Sequence, residues 1–362
     1  MDKVVYKVKK TNKLYLLFLM LFITLQISCT NDASLDLMIF VDSIGLDYDT
    51  ETDEFVMYYH VATSHTLITS EMGSSSADIS YSIAKVKGTN IYECINKIND
   101  NSIKNIDLNH IQTIILSFDF ITIERLKLIS DFVRTYRFIT PNVYIFATNS
   151  KLEDMFSIEN PENISPFFSL ISSNDYITAY NLTYYSEFAS TLYEDYTITK
   201  ITVIDCIDTI WQNENKKIYT IYPTGELYIN KLGEKLYLKI NEFKILSLIN
   251  HEYLTTLIYE DINYSIYDFK IKIVPSKDSK FKFVIKGNIY ATDLTSNNSL
   301  ETLSIFTNNL KKDFENFINY TKELNFDIFN LQDKLYRKYN KKDGFNIKTT
   351  EIDIEVKFKL LN

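Results

Sequence analysis

The chain has 362 residues, room for two or three domains at ~100–200 residues each. With 46% hydrophobic and 23% charged residues it has the composition of a chain that buries a core, not of a disordered one. A formal charge of −9 disfavours general nucleic-acid binding, and 7 glycines, 3 cysteines and 4 histidines leave little material for phosphate cradles, zinc sites or thiol chemistry.

Lys3, Lys7, Lys9, Lys10 and Lys13 precede an uncharged, mainly apolar run over residues 14–27. A basic start followed by a short apolar stretch is the layout of a secretory signal, and the stretch is short for a membrane span. It stops at Ser28-Cys29, which resembles a bacterial lipobox, where a diacylglyceryl group is attached to the cysteine sulfur before cleavage. Residues 1–28 are then the expected lipoprotein signal peptide, and Cys29 the lipidation site and first mature residue. The pattern departs at Gln26, where an apolar side chain is usual; an uncleaved signal anchor and simple secretion are the alternatives. Without residues 1–28, which hold five lysines and one aspartate, the formal charge is about −13. Overall charge does not draw such a body onto an acidic membrane, so a lipid needs a second contact, and integral membrane partners are expected. Cys94 and Cys206 either pair in an oxidising compartment or stay as buried thiols.

Along the mature chain, residues 37–41 form an apolar strand. Residues 44–49 lead into an acidic turn, and residues 55–61 return as a hairpin partner. Thr89 is placed to cap a helix with Ile91, Cys94, Ile95 and Ile98 on its apolar face. Residues 111–118 are nearly all apolar, as in a strand buried on both faces. Leu126, Ile129, Phe132, Val133 and Tyr136 mark an amphipathic helix over 123–137. Pro141 and a strand over 143–147 follow, so strand, helix and strand predict a parallel unit. Residues 151–173 read as helix, loop and helix leading to a tyrosine-rich helix over 180–193. The polar turn at 213–217 is the best internal boundary. Strands are expected over 218–222, 226–229, 236–240, 269–274 and 281–290. Asn298 and Glu301 open a long helix whose apolar face is Leu303, Phe306, Leu310, Phe314, Phe317 and Leu324. In the last strand Ile352, Ile354, Val356, Phe358 and Leu360 alternate with Asp353, Glu355, Lys357 and Lys359, which leaves one face wet. The predicted class is α+β and multi-domain: mixed sheets with packed helices, a final long helix and an alternating C-terminal strand. Residues 29–212 form an N-terminal α+β region of one or two subdomains, and residues 213–362 a C-terminal α+β domain.

Motifs for chemistry are few. Asp47, Asp49, Glu51, Asp53 and Glu54 begin like a calcium loop, but Thr52 stands where the sixth-position glycine belongs and Tyr58 where the bidentate acid belongs, so a solvated hairpin turn is the reading. His60, His65 and His110 have no ligands at metal spacing and are expected to be structural. Tyr180, Tyr184, Tyr185 and Tyr193 supply helix packing or an interaction surface. No nucleophile elbow, P-loop or dinucleotide fingerprint occurs. Catalytic residues, metal and cofactor are therefore expected to be none, and the chain is expected not to be an enzyme.

Four stretches, in order, resemble the Ger(x)C family, the lipoprotein C-subunits of bacterial spore nutrient-germinant receptors. They are Ser28-Cys29; residues 38–41 with Ile44-Gly45-Leu46-Asp47-Tyr48; the histidine-led strand 108–117 with the arginine-containing helix through Arg134 and Arg137 and the strand at 143–147; and Thr224-Gly225-Glu226-Leu227, the long helix, Asp327-Ile328-Phe329 and Lys334-Leu335-Tyr336-Arg337-Lys338-Tyr339. The sequence departs from the family at Ser117 and at Asn330-Leu331, where glycine is usual, and a tryptophan common before the last strand is missing near Gly344-Phe345. The resemblance implies three small α+β domains. It also implies a non-catalytic, membrane-tethered subunit that acts in spore germination through protein–protein contacts. Its partners would be two integral membrane subunits, one transporter-like and one large-headed, on the outer face of the spore inner membrane. Tyr336, Arg337 and Tyr339 are the expected contact residues, since Tyr and Arg are favoured at interface centres; the competing reading packs their helix on its own domain. A solute-binding lipoprotein that delivers a ligand to a transporter is the alternative, and would need two similar parallel-sheet lobes around a cleft.

Overall fold

In a computed structural model, described over residues 38–62, 81–136, 142–158, 165–173, 181–213, 216–250, 254–291, 299–342 and 344–361, the chain forms two sheets. Strands β1 (Met38–Asp49) and β2 (Glu54–Ala62) make the expected hairpin, paired from Phe40↔Ala62 to Asp49↔Glu54. Its acidic tip is a turn: Asp49 Oδ1 accepts the Glu51 and Thr52 amides at 3.1 and 3.2 Å, Oδ2 takes Lys87 at 2.7 Å, and Asp53 is left-handed at φ 58°. Strand β3 (Tyr81–Gly88) edges β2. Helix α1 (Ile91–Asp100) follows, buried through Ile91, Cys94, Ile95 and Ile98 as expected. Its cap is Asn90, not Thr89: Asn90 Oδ1 accepts the Glu93 amide at 2.9 Å, while the Thr89 amide and hydroxyl both donate to the Glu93 carboxylate.

Next come β4 (Asn105–Asp107), β5 (Thr113–Ser117), α2 (Ile123–Thr135) and β6 (Tyr144–Thr148). Strands β1, β5 and β6 run parallel, as the strand–helix–strand pattern predicts. Every residue of β5 is buried, because both faces of this sheet are covered. Ile114 and Leu116 point into one core with α1 and α2, and Ile115 points into the other. That other core includes the short helices α3 (Leu152–Phe156) and α4 (Pro166–Ser173). Helix α5 (Tyr185–Tyr193) returns to the first core through Phe188 and Leu192.

Strand β7 (Thr199–Asn213) joins β6 in parallel and pairs antiparallel with β8 (Lys216–Ile229), which pairs with β9 (Lys235–Lys239). The sheet order is β3-β2-β1-β5-β6-β7-β8-β9, with β4 on β1. The polar turn at 213–217 therefore lies in a hairpin inside this sheet, paired as far as Asn213↔Lys216. The change of sheet comes later, around helix α6 (Lys244–Asn250), which precedes β10.

The second sheet has the order β10 (Leu254–Tyr259), β11 (Ile262–Pro275), β12 (Phe281–Ala291), β13 (Ile352–Leu360), antiparallel except for the parallel β12–β13 pair. The long helix α7 (Ser299–Glu323) lays Phe306, Leu310, Phe314 and Phe317 against its inner face, where Phe283, Ile285 and Phe358 meet them. Leu324, expected on that apolar face, lies just beyond the helix and is exposed. A short helix, α8 (Leu331–Tyr339), closes the end of the core with Leu331 and Leu335. The expected cap Asn298 and the helix start at Tyr180 lie outside the described residues.

Candidate interaction sites

The polar side chains gather in two places. The first is the carboxyl end of the parallel strands, the crest where open α/β sheets usually hold ligands. Here Asp205 on β7 accepts from Thr148 Oγ1, Asn149 N, Ser150 N and Ser150 Oγ at 3.0–3.3 Å through Oδ1, and from Thr224 Oγ1 at 2.8 Å through Oδ2. Asp47 accepts from Ser117 Oγ and from the Tyr48 amide. Strand ends are laced together by these carboxylates, which have neutral donors around them.

The second place is the joint between the sheets, centred on α8. Asp327 accepts the Leu331 and Gln332 amides at 2.9 Å each, a carboxylate set against a helix N-terminus. Burial nevertheless pushes its carboxyl up to about 7, against the pull of those amides and of Lys334. Burial also pulls Lys334 below the usual lysine range. Asn330 adopts a left-handed conformation at φ 51°, and its Oδ1 accepts the Ile198 amide at 2.7 Å just ahead of β7. Arg337 Nε bonds both Asp333 oxygens at 2.7 and 2.9 Å, and its Nη2 reaches Glu194 at 2.7 Å, beyond α5. The Tyr336 ring sits 5.2 Å from that of Tyr196, and Tyr339 donates to the Pro275 carbonyl at 3.0 Å. The three α8 residues expected at a partner interface are thus brought together, with contacts inside the chain: Tyr336 and Arg337 toward the first sheet, Tyr339 toward the second. The Arg337 side chain remains 60% exposed, so water screens its ion pairs and they orient the helix more than they stabilise it.

The other residues singled out from the sequence are scattered. His60 is buried, with Nδ1 2.8 Å from Asp42 Oδ1 and its ring against Phe156 and Phe167. His110 is exposed, edge-on to Phe40 and 3.7 Å from Asp107. Tyr184 stacks on Tyr144 at 4.5 Å, with their hydroxyls 2.8 Å apart; Tyr185 bonds the Ser130 hydroxyl, and Tyr193 is exposed. Tyr180, His65 and Cys29 lie outside the described residues. Among the described residues no three His, Cys, Asp or Glu side chains gather as a metal would need, and no helix is long and apolar enough to cross a membrane. Cys94 and Cys206 are free thiols in the cores on opposite faces of the first sheet, so the disulfide alternative falls; burial pushes both up to about 11. Sequence reasoning missed Asp205 and Asn330. Asn330-Leu331, the departure after Asp-Ile-Phe, was the one available signal: a left-handed residue stands where glycine is usual, and its side-chain oxygen, which glycine lacks, accepts the Ile198 amide.

These contacts define an α+β body of two unlike sheets, cross-linked at the strand ends and at the α8 joint. Residues 32–205 match the spore germination protein N-terminal domain, and residues 234–362 match the "Spore germination B3/GerAC like, C-terminal" domain. The chain belongs to the Ger(x)C family of spore germination proteins. A solved crystal structure of the GerBC protein is similar over 88% of this chain and 97% of that one, at 16% identity and a TM-score of 0.48. Comparison with curated proteins gives no match.

Proposed function

We propose that this chain is the lipid-anchored, non-catalytic subunit of a nutrient-germinant receptor. Cys29 moors it to the outer face of the spore inner membrane, and it acts by touching a transporter-like and a large-headed integral membrane subunit. The observation that carries the reading is the ordered pair of germination domains over residues 32–205 and 234–362. The two unlike sheets also favour it over the solute-binding alternative, which calls for two similar lobes. The lipid raises the effective concentration of the body beside its partners. The α8 residues Tyr336, Arg337 and Tyr339 hold the joint, so that partners grip one body instead of two.

Cys29→Ala tests the mooring. The variant should move from the membrane to the soluble fraction of spores, lose incorporation of a labelled fatty acid, and slow germination with nutrients while leaving nutrient-independent germination intact. Unchanged fractionation together with unchanged germination would refute the proposal.

A further inference from the structure

The outer face of the second sheet has exposed side chains on β10–β13 and carries more positive charge than the chain as a whole would suggest. Register places Lys270, Lys286 and Lys357 side by side across β11, β12 and β13. Neighbouring rows add Lys272 beside Val284 and Glu355, Lys282 beside Asp353, and Lys359 beside Asn288. All six lysines are exposed. The acids facing them are Glu355, which binds Lys282 at 2.8 Å and also Lys357, and Asp353, with Asp268 held by Asn288 at the β11 bulge. Lys270, Lys272, Lys286 and Lys359 have no ion pair among the described residues. Like charges directly across strands disfavour a sheet, and a chain of formal charge −9 has acids enough to relieve them. Toward β10 the same face turns apolar: Ile258 is 55% exposed, Tyr290 46% and Tyr267 38%.

From this we infer that the outer face of β10–β13 is a docking surface for an anionic phospholipid bilayer. Adjacent strands set the lysine stems ~5 Å apart on a broad, shallow surface, so several ammonium groups reach one charged plane together. Exposed tyrosines beside them suit the headgroup boundary, where a ring wants an apolar body and a wet hydroxyl. The inference deepens the proposed function: a lipid on Cys29 fixes only the end of the chain at the bilayer, and a basic face on the second sheet sets which side of the body meets the anionic headgroups. The charge is local: the sheet face is attracted although the whole body is acidic.

The test uses the full chain carrying Cys29→Ser, with and without Lys270→Gln, Lys272→Gln, Lys286→Gln and Lys359→Gln. Flotation is measured with phosphatidylcholine vesicles and with vesicles that also contain phosphatidylglycerol, at low and half-molar salt. Lysines in residues 1–28 are common to both chains, so the difference between the chains is what is read. At about fivefold per lysine near an anionic surface, the four substitutions should weaken binding to the phosphatidylglycerol vesicles by at least about tenfold at low salt. They should leave phosphatidylcholine binding alone, and high salt should erase the difference. An unchanged thermal midpoint shows that the variant is folded. Equal vesicle binding by the two folded chains overturns the inference; if the variant then also loses membrane proteins that co-purify with the parent, the face belongs to an acidic protein. Neither chain has Cys29, so failure here leaves the tether standing, and failure of the Cys29→Ala test leaves this face standing.

Discussion

Among the described glycines of the first sheet, Gly225 in β8 has the least room for a side chain. A Cβ built there lies 2.3 Å from the Leu238 carbonyl oxygen and 2.7 Å from a Tyr237 ring carbon, both on β9. The oxygen is backbone in a paired strand, so no rotamer change relieves the overlap; β9 must move. Moving it disturbs the Glu226↔Leu238 register and the Ile240 amide bond to the Thr224 carbonyl, and strains the Thr224 hydroxyl bond to Asp205. Overpacking of this kind costs ~1–3 kcal/mol, and a compromised hydrogen bond adds ~1 kcal/mol. Gly225→Ala should therefore lower stability by about 2–4 kcal/mol. Gly45→Ala is the control: its Cβ meets only side-chain atoms, of Phe156 at 2.9 and 3.0 Å and Leu152 at 3.2 Å, so it should cost at least ~1 kcal/mol less. Urea denaturation measures the loss. Circular dichroism reads both sheets. The midpoint should fall in Gly225→Ala with little change in slope. A Gly225→Ala midpoint equal to that of the parent, or a larger loss in Gly45→Ala, would refute the reasoning.

Two further outcomes follow from the joint. Asn330→Ala leaves the buried Ile198 amide without its acceptor and puts alanine at φ 51°, and should cost ~2–4 kcal/mol; Asn330→Gly keeps only the first loss and should recover ~1 kcal/mol in a thermal-shift comparison. If the glycine and alanine variants melt alike, the left-handed backbone is not the reason. The Asp327 carboxyl, raised from 3.8 to about 7, binds a proton more readily in the folded chain than in the unfolded one. Its contribution to stability is thus full below pH about 4 and falls as pH rises toward 7, and Asp327→Asn should flatten that part of the pH profile. Carbon NMR of the side chain should give the midpoint directly, and a midpoint in the ordinary carboxylate range would remove the explanation.

What could be read from the sequence was decided by where polar residues fall. The β5–α2–β6 unit stands out because Ile111, Ile114, Ile115, Leu116 and Phe118 crowd one short stretch and the helix repeats Leu126, Ile129, Phe132 and Val133 on one side. Strand β7 does not, although it holds the sheet together: Thr199 and Thr202 are buried in it, and the Thr202 hydroxyl is matched by Thr183, a partner 19 residues away that patterning cannot supply. Pro223 broke β8 into two expected strands, yet it sits at a register shift opposite Ile204, where a missing amide is tolerated. The wet face of β13 was legible from alternation alone. That its lysines join those of β11 and β12 depends on register, which is set by distant strands. Likewise Tyr336 and Arg337 were visible as a basic-aromatic helix, while Glu194 and Tyr196, which receive them, carry no local signal.

Strand β13 lies parallel to β12 but is synthesised after the whole of α7 and α8. Until it arrives, Phe306 lacks the Phe358 ring that packs on it 5.0 Å away, and one edge of β12 offers a row of open amides and carbonyls. The carboxyl-terminal half must therefore wait, half-built and adhesive, for its final nine-residue strand. A ribosome that stops ahead of Ile352 would release a chain ready to clump with its neighbours.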